Sequence, residues 1–96
     1  MEKTTILELL KEYKKEFAEI YGIQAIGLFG STARNEMGED SDVDVVVRIE
    51  RPELFLLAGI KIDLEERLHR PVDLVTYRDT MNPFLKQKID GEAIYA

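Results

Sequence analysis

The spacing of apolar positions along this 96-residue chain predicts helices that alternate with strands. Residues 4–21 have a helical pattern that Gly22 ends, with apolar residues every three or four positions at Ile6, Leu10, Tyr13, Phe17 and Ile20. A second helix is predicted from Pro52 to about His69, with its apolar stripe at Leu54, Leu57, Ile60, Leu64 and Leu68. A last helix begins at Asn82–Pro83 and runs through about Ile89, and Gly91 ends it.

Shorter apolar runs between these helices predict strands. "DVDVVVRI" has the density of β-branched residues that is typical of an interior strand. The predicted strands are "QAIGLFG" (24–30), "DVDVVVRI" (42–49), "VDLVTY" (72–77) and a short terminal strand in "AIYA" (93–96). One or two helical turns follow the first strand at 31–36, and a polar loop follows at 37–41. Helices that alternate with strands indicate an α/β layer structure, with the helices packed on the sheet.

The composition is that of one globular domain, which we expect to span residues 1–96. Hydrophobic residues make up 45% of the chain and charged residues 33%. The start of the chain, "MEKTTILELLKEYKK", carries charges throughout its apolar positions, which argues against a signal peptide, and no apolar stretch is long enough to cross a bilayer. The absence of cysteine fits a reducing cytoplasm, where we expect the protein to act.

The charge balance bears on the partners of the protein. The formal net charge is −6, from 19 acidic and 13 basic residues. A domain that binds nucleic acid normally presents a basic face to the phosphates, so direct binding to nucleic acid is not expected. A nucleotide bound together with metal ions is still compatible with this charge.

Three aspartates are the candidate catalytic residues. Residues two apart on a strand point to the same side, so Asp42 and Asp44 project from one face. Asp73 opens the third strand as Asp42 opens the second, and the three carboxylates converge if those strands are neighbours. Adjacent carboxylates repel each other unless a proton or a cation lies between them, and Mg²⁺ prefers oxygen ligands of this kind. An isolated D-x-D pair would by itself be an ordinary solvated strand end.

A Gly-Ser pair before these aspartates adds a candidate anion site. Gly30 allows the backbone to approach a phosphate closely, and Ser31 can cap the following helix or bind a phosphate oxygen. Arg34, one turn later, can offer a bidentate fork to phosphate. The alternatives are a plain helix cap for Gly30–Ser31, and for Arg34 a surface ion pair with Glu36, Glu39 or Asp40. Together, the anion site and the carboxylates indicate metal-dependent phosphoryl or nucleotidyl transfer.

This arrangement resembles a known superfamily. Gly30–Ser31, ten residues, Asp42-Val43-Asp44 and a distant Asp73 on a strand are similar to the signature of the DNA polymerase beta-type nucleotidyltransferases. In length the chain resembles the minimal nucleotidyltransferase (MNT) branch, and in particular the antitoxins of HEPN/MNT toxin–antitoxin pairs. The resemblance implies an α/β (α+β) fold in which four helices alternate with three strands around a small mixed sheet. One departure is Ala33-Arg34-Asn35, where many relatives have Arg-Gly, so the turn after Arg34 is expected to differ.

The resemblance also implies an activity and roles for the residues. The activity is transfer of AMP from ATP to a tyrosine hydroxyl of a partner HEPN toxin, which silences the toxin. Asp42, Asp44 and Asp73 would bind two Mg²⁺ ions, with Asp73 as the base, while Gly30, Ser31 and Arg34 would contact the triphosphate. No membrane is expected among the partners, and a homodimer and a hetero-oligomer with the toxin both stay open.

Two other functions remain in competition with this one. One is a non-catalytic antitoxin that masks its partner, and the other is a nucleotidyltransferase that acts on a small molecule. Masking needs none of the three carboxylates, and a small-molecule enzyme needs a further surface to hold its substrate. The apolar "LFLL" at 54–57 is unusual for a helix start and is either core or part of a subunit interface.

Overall fold

The computed structural model describes residues 2–36, 38 and 41–96. The first helix, α1 (Lys3–Tyr21), buries Ile6, Leu10 and Tyr13, as the apolar spacing predicts. It ends where Gly22 adopts a left-handed conformation, with a φ of 67°, and donates its N–H to the carbonyl of Ala18. Both the extent of this helix and its glycine end are therefore confirmed.

Four strands form one mixed sheet. They are β1 (Ile23–Leu28), β2 (Val43–Ile49), β3 (Val72–Thr76) and β4 (Ile94–Tyr95), and they lie side by side in the order β3-β2-β1-β4. β2 and β3 are parallel, whereas β1 is antiparallel to both β2 and β4. The predicted α/β class and mixed sheet are confirmed, including the short strand at the end of the chain.

Three more helices connect the strands: α2 (Gly30–Ala33), α3 (Leu54–Leu68) and α4 (Pro83–Glu92). Asn82 caps α4 by accepting hydrogen bonds from the N–H groups of Phe84 and Leu85. The prediction that Gly91 ends α4 is wrong, because the helix continues through Glu92. Its last turn is held by the N–H of Ala93, which donates to the carbonyl of Ile89 at 2.8 Å. None of the described helices is long and apolar enough to cross a membrane.

The two faces of the sheet are covered differently. Val43, Val45 and Val47 point into the main core, which α1 and α3 cover. Val46, on the other face, packs with Phe29 and with Ile89 of α4 in a smaller core. Because side chains alternate along a strand, Asp44 lies on the same face as Val46. The carboxylate is therefore on the more open side of the sheet, next to α2 and α4.

Two positions of the predicted apolar stripes are exposed. Ile20, near the end of α1, is 71% exposed, and Leu54, at the start of α3, is 79% exposed. Each belongs to the apolar stripe of its helix. The spacing of apolar residues, however, does not show how far along the helix the neighbouring elements pack against that stripe. Both lie at the end of the sheet where β2 finishes, beyond the part that the core covers.

Candidate active site

The parallel pairing of β2 and β3 brings two of the predicted aspartates together. In the register of these strands Val43 lies beside Val72, and Asp44 lies beside Asp73. Asp44 is half-buried, whereas Asp73 is exposed. Asp42 is also exposed and directly precedes β2. The expectation that the second and third strands are neighbours is therefore confirmed, and it places these residues at one edge of the sheet.

Asp44 is in an unfavourable environment for a negative charge. Burial raises the pKa of its carboxyl group, and the negative charge of Asp73 raises this pKa further. The hydroxyl of Ser31, which donates to Oδ2 of Asp44 at 3.4 Å, acts in the opposite direction, as does the backbone N–H of Ser31. The pair of aspartates is therefore well suited to bind a cation, which removes the repulsion between the carboxylates.

Gly30 is required both for the backbone conformation of the turn and for its close approach to Asp44. Its φ of +61° lies in the left-handed region, which residues with a side chain rarely adopt. A Cβ atom at this position would lie only 2.6 Å from Oδ2 of Asp44. The absence of a side chain lets the Gly30 backbone lie directly against the carboxylate.

Thr32 joins the turn after β1 to the start of β2, a role that no sequence pattern indicates. Its buried Oγ1 accepts a hydrogen bond from the N–H of Asp44 at 3.1 Å. The N–H of Phe29 donates to the carbonyl of Asp44, also at 3.1 Å. These two bonds fix the backbone of Asp44 on both sides and so hold its carboxylate against Gly30 and Ser31.

Arg34 is engaged by two glutamates. Its Nε donates to Glu36 at 3.0 Å, and its Nη1 donates to both carboxylate oxygens of Glu92 at 2.9 and 3.0 Å. The pair with Glu36 is one of the predicted alternatives for this arginine, whereas Glu39 and Asp40 lie outside the described residues. Glu92 is 58 residues away along the chain, so sequence spacing could not identify it. The guanidinium contacts carboxylates here, and binding a phosphate would require it to exchange at least one of them.

Lys88 is a further cation near the carboxylates. Its positive charge lowers the pKa of Asp44, opposing the effect of burial. It lies four residues before Glu92, and therefore on the same side of α4 as the glutamate that pairs with Arg34. No local motif distinguishes this lysine, and its position depends on how α4 packs across the sheet.

The carboxylates can be tested for their fit to a metal ion. Among the residues that the structure describes, no group of three histidine, aspartate, glutamate or cysteine side chains is arranged to hold a metal. Mg²⁺, however, commonly uses one or two carboxylates and completes its octahedron with water and substrate phosphates. The oxygen ligands of Asp44 and Asp73 and the raised pKa of Asp44 fit such a site.

Comparison with known proteins identifies relatives over nearly the whole chain. The nucleotidyltransferase domain family matches residues 10–96. MJ0126 of Methanocaldococcus jannaschii, provisionally named a protein adenylyltransferase, is 39% identical over 92 aligned residues, with 94% of this chain and 93% of that protein covered. The protein adenylyltransferase MntA of Thermococcus cleftensis is 36% identical over 91 residues, with 94% and 91% of the two chains covered.

Solved structures share the same fold. One provisionally described as a minimal nucleotidyltransferase matches with a TM-score of 0.79 at 35% identity and covers 98% of this chain and 95% of its own. Another is the complex of a tri-AMPylated Shewanella oneidensis HEPN toxin with its MNT antitoxin. It matches with a TM-score of 0.71 at 20% identity and covers 97% of this chain and 70% of the other, so it supports the fold alone.

Proposed function

This chain belongs to the nucleotidyltransferase domain family, and we propose that it is a Mg²⁺-dependent protein adenylyltransferase. Its residues 1–96 act as one nucleotidyltransferase domain, and it is the antitoxin of a HEPN-family toxin. It transfers AMP from ATP to a tyrosine hydroxyl of that toxin. The observation that carries the proposal is the pairing of Asp44 with Asp73 beside the Gly30–Ser31 turn.

In this proposal the carboxylates bind the metal ion and the Gly-Ser turn contacts the phosphates. Asp44 and Asp73 would hold Mg²⁺, and Asp42, which the structure does not group with them, would complete the set when the ion binds. The ion would neutralise the triphosphate and increase the acidity of the attacking hydroxyl. The Gly30 backbone can approach the phosphates closely because it has no side chain, and Ser31 offers its hydroxyl and its N–H. Lys88 adds a positive charge on the α4 side. Arg34 reaches the phosphates only after leaving Glu92.

The reaction is an in-line displacement at the α-phosphorus of ATP. The tyrosine oxygen forms a bond to this phosphorus, the bond to the bridging oxygen breaks, and pyrophosphate leaves with that oxygen. The hydroxyl proton passes to the carboxylate of Asp73, which is exposed and therefore accessible to an acceptor. The products are tyrosyl-AMP on the partner and pyrophosphate.

Two features favour a protein as the acceptor. The relatives MJ0126 and MntA carry the name protein adenylyltransferase, and the toxin bound to the MNT antitoxin carries three AMP groups. In addition, Asp73 is exposed and the sheet face on which Asp44 lies is covered chiefly by α4. A tyrosine on the surface of a partner can therefore approach the carboxylates without opening the core.

The experiment combines α-labelled ATP, Mg²⁺, this protein and the product of the neighbouring gene, which in this proposal is the HEPN-family toxin. We expect label on the partner, removed by tyrosine substitution in the partner and by Asp42→Asn/Asp44→Asn here. Asp79→Asn is the matched control, because Asp79 is exposed on the loop after β3, and its label should equal that of the wild type. Binding of the partner without transfer of label would refute the enzymatic proposal and favour masking.

A further inference from the structure

A cavity lies at the end of the sheet opposite to the carboxylates. Its volume is about 420 Å³, and its walls come from residues 19–22 of α1 and its end, from Glu50 and Arg51 after β2, and from Glu53 and Leu56 around the start of α3. Six residues of extended chain separate Asp44 from Glu50, or about 20 Å along β2. This cavity is therefore separate from the proposed active site.

Large apolar side chains in and next to this cavity are exposed. Ile20 is 71% exposed, Leu54 79% and Phe55 89%. Ile20 lies in the cavity wall, whereas Leu54 and Phe55 are outside the wall, in the first turn of α3 next to the lining residues Glu53 and Leu56. Exposed apolar side chains gathered around a concave surface are typical of a protein-binding site, because their burial on binding is favourable.

The same surface is negatively charged. Three glutamates line the cavity, Glu19, Glu50 and Glu53, against one cation, Arg51. Within the part of the chain that the structure describes, none of these four side chains forms a salt bridge. Their charges remain available to a molecule that binds here.

This charge determines which occupant fits. In a symmetric dimer built through this surface, each acidic cavity would face the acidic cavity of the other copy, at an electrostatic cost. Nucleic acid and anionic membranes would be repelled for the same reason. A protein surface that presents an apolar side chain next to lysine or arginine complements both the apolar and the acidic parts.

We propose that this distal surface, formed by Ile20, Glu50, Glu53, Leu54 and Phe55 around the cavity, docks a protein partner. The partner inserts a bulky apolar side chain and places lysine or arginine side chains against the glutamates. The proposal rests on the proposed function for the identity of that partner, the HEPN-family protein. It adds that the partner is held about 20 Å from the carboxylates that modify it.

The test measures binding of the purified HEPN-family protein by calorimetry. Leu54→Ser/Phe55→Ser should weaken this binding at least about tenfold, because exposed anchor residues carry much of the binding energy at protein interfaces. The affinity for ATP should stay unchanged. Phe84→Ser is the matched control, since Phe84 is 83% exposed but lies at the start of α4, and its affinity for the partner should equal that of the wild type.

A second pair of substitutions tests the charge. Glu50→Lys/Glu53→Lys should weaken partner binding and reduce its dependence on salt, while leaving the apolar residues in place. Unchanged partner affinity in both double variants would overturn the proposal, and so would an equal loss in Phe84→Ser. Conversion of a dimer of this chain to a monomer, with unchanged partner affinity, would assign the surface to a second copy and also overturn it.

The two proposals fail in different ways. If the partner binds and the Leu54→Ser/Phe55→Ser variant loses that binding, but no label is ever transferred, the adenylyltransferase proposal falls and the docking proposal stands. If label is transferred and both double variants bind the partner normally, the docking proposal falls and the enzymatic one stands.

Discussion

The two ends of the sheet differ in how far their side chains are satisfied within the chain. Near the carboxylates, Ser31 and Thr32 bond to Asp44, and Arg34 is held by Glu36 and Glu92. At the distal surface, the glutamates form no salt bridge among the described residues, and Phe55 is 89% exposed. The carboxylate end is preorganised by contacts within the chain, whereas the distal surface keeps unpaired charges and exposed apolar side chains that a docked partner would cover.

The largest expected effect comes from removing the central carboxylate. Asp44→Asn should lower AMP transfer on the order of 10³-fold, because loss of a metal ligand removes several kcal/mol of transition-state stabilisation. Partner affinity, measured by calorimetry, should not change, since the distal surface is untouched. A parallel loss of partner affinity would show that the two ends are not independent.

Gly30→Ala should have the next largest effect. A Cβ at a φ of +61°, 2.6 Å from Oδ2 of Asp44, forces the carboxylate to move, and we expect AMP transfer to fall about 10²-fold. The melting temperature should also fall, because a left-handed alanine costs about 1 kcal/mol.

Two comparisons assign the cause of the Gly30→Ala effect. Gly59→Ala is the matched control, since nothing lies within 4 Å of the Cβ it would carry, and it should retain full activity. In an Asp44→Asn background Gly30→Ala should cause little further loss of transfer. An additive loss would show that the glycine does not act through this carboxylate.

A smaller effect is expected from Lys88. If its charge faces the phosphates, Lys88→Met should weaken ATP binding about tenfold, because a hydrogen bond to a charged group contributes about 1.5 kcal/mol. AMP, which lacks the β- and γ-phosphates, should bind nearly as well as to the wild type. Lys86→Met is the control, since Lys86 lies two residues away and is paired with Asp90. Equal weakening of AMP binding and ATP binding would show that Lys88 does not face the β- and γ-phosphates.

The smallest effect on activity is expected in the core between the two ends. Tyr13 is fully buried, and its hydroxyl donates to Asp63 at 2.9 Å; burial first, and then this bond, raise its pKa well above the ordinary value of 10.0. The folded protein keeps this proton where the unfolded chain loses it, so stability should fall as the pH rises above about 10.

Tyr13→Phe isolates this contribution to stability. It should flatten the decrease at high pH and lower the free energy of unfolding near neutral pH by about 1 kcal/mol, with AMP transfer unchanged. Urea unfolding at several pH values measures both effects. An unchanged pH slope would assign the loss of stability to other tyrosines.

The sequence predicted those parts of the fold that depend on local pattern. The spacing of Ile6, Leu10 and Tyr13 identified the inner face of α1, and β-branched density identified β2. The meeting of Asp44 with Asp73 followed once the two strands were taken as neighbours, because residues at equivalent positions of parallel strands lie side by side.

Contacts between distant segments were not predictable in this way. The bond from Arg34 to Glu92 and the position of Lys88 depend on how α4 crosses the sheet, which no local pattern encodes. The exposure of Ile20 and Leu54 was not predicted for a related reason. The helical period identifies which face of a helix is apolar, but not how far along the helix other elements pack against that face.

The most direct test of the division between the two ends is the rate of AMP transfer at increasing concentrations of the HEPN-family protein. Leu54→Ser/Phe55→Ser should raise the partner concentration needed for half-maximal rate and leave the maximal rate unchanged. Asp44→Asn should lower the maximal rate and leave that concentration unchanged. If both variants instead change the same parameter, docking and chemistry share one site and the division is wrong.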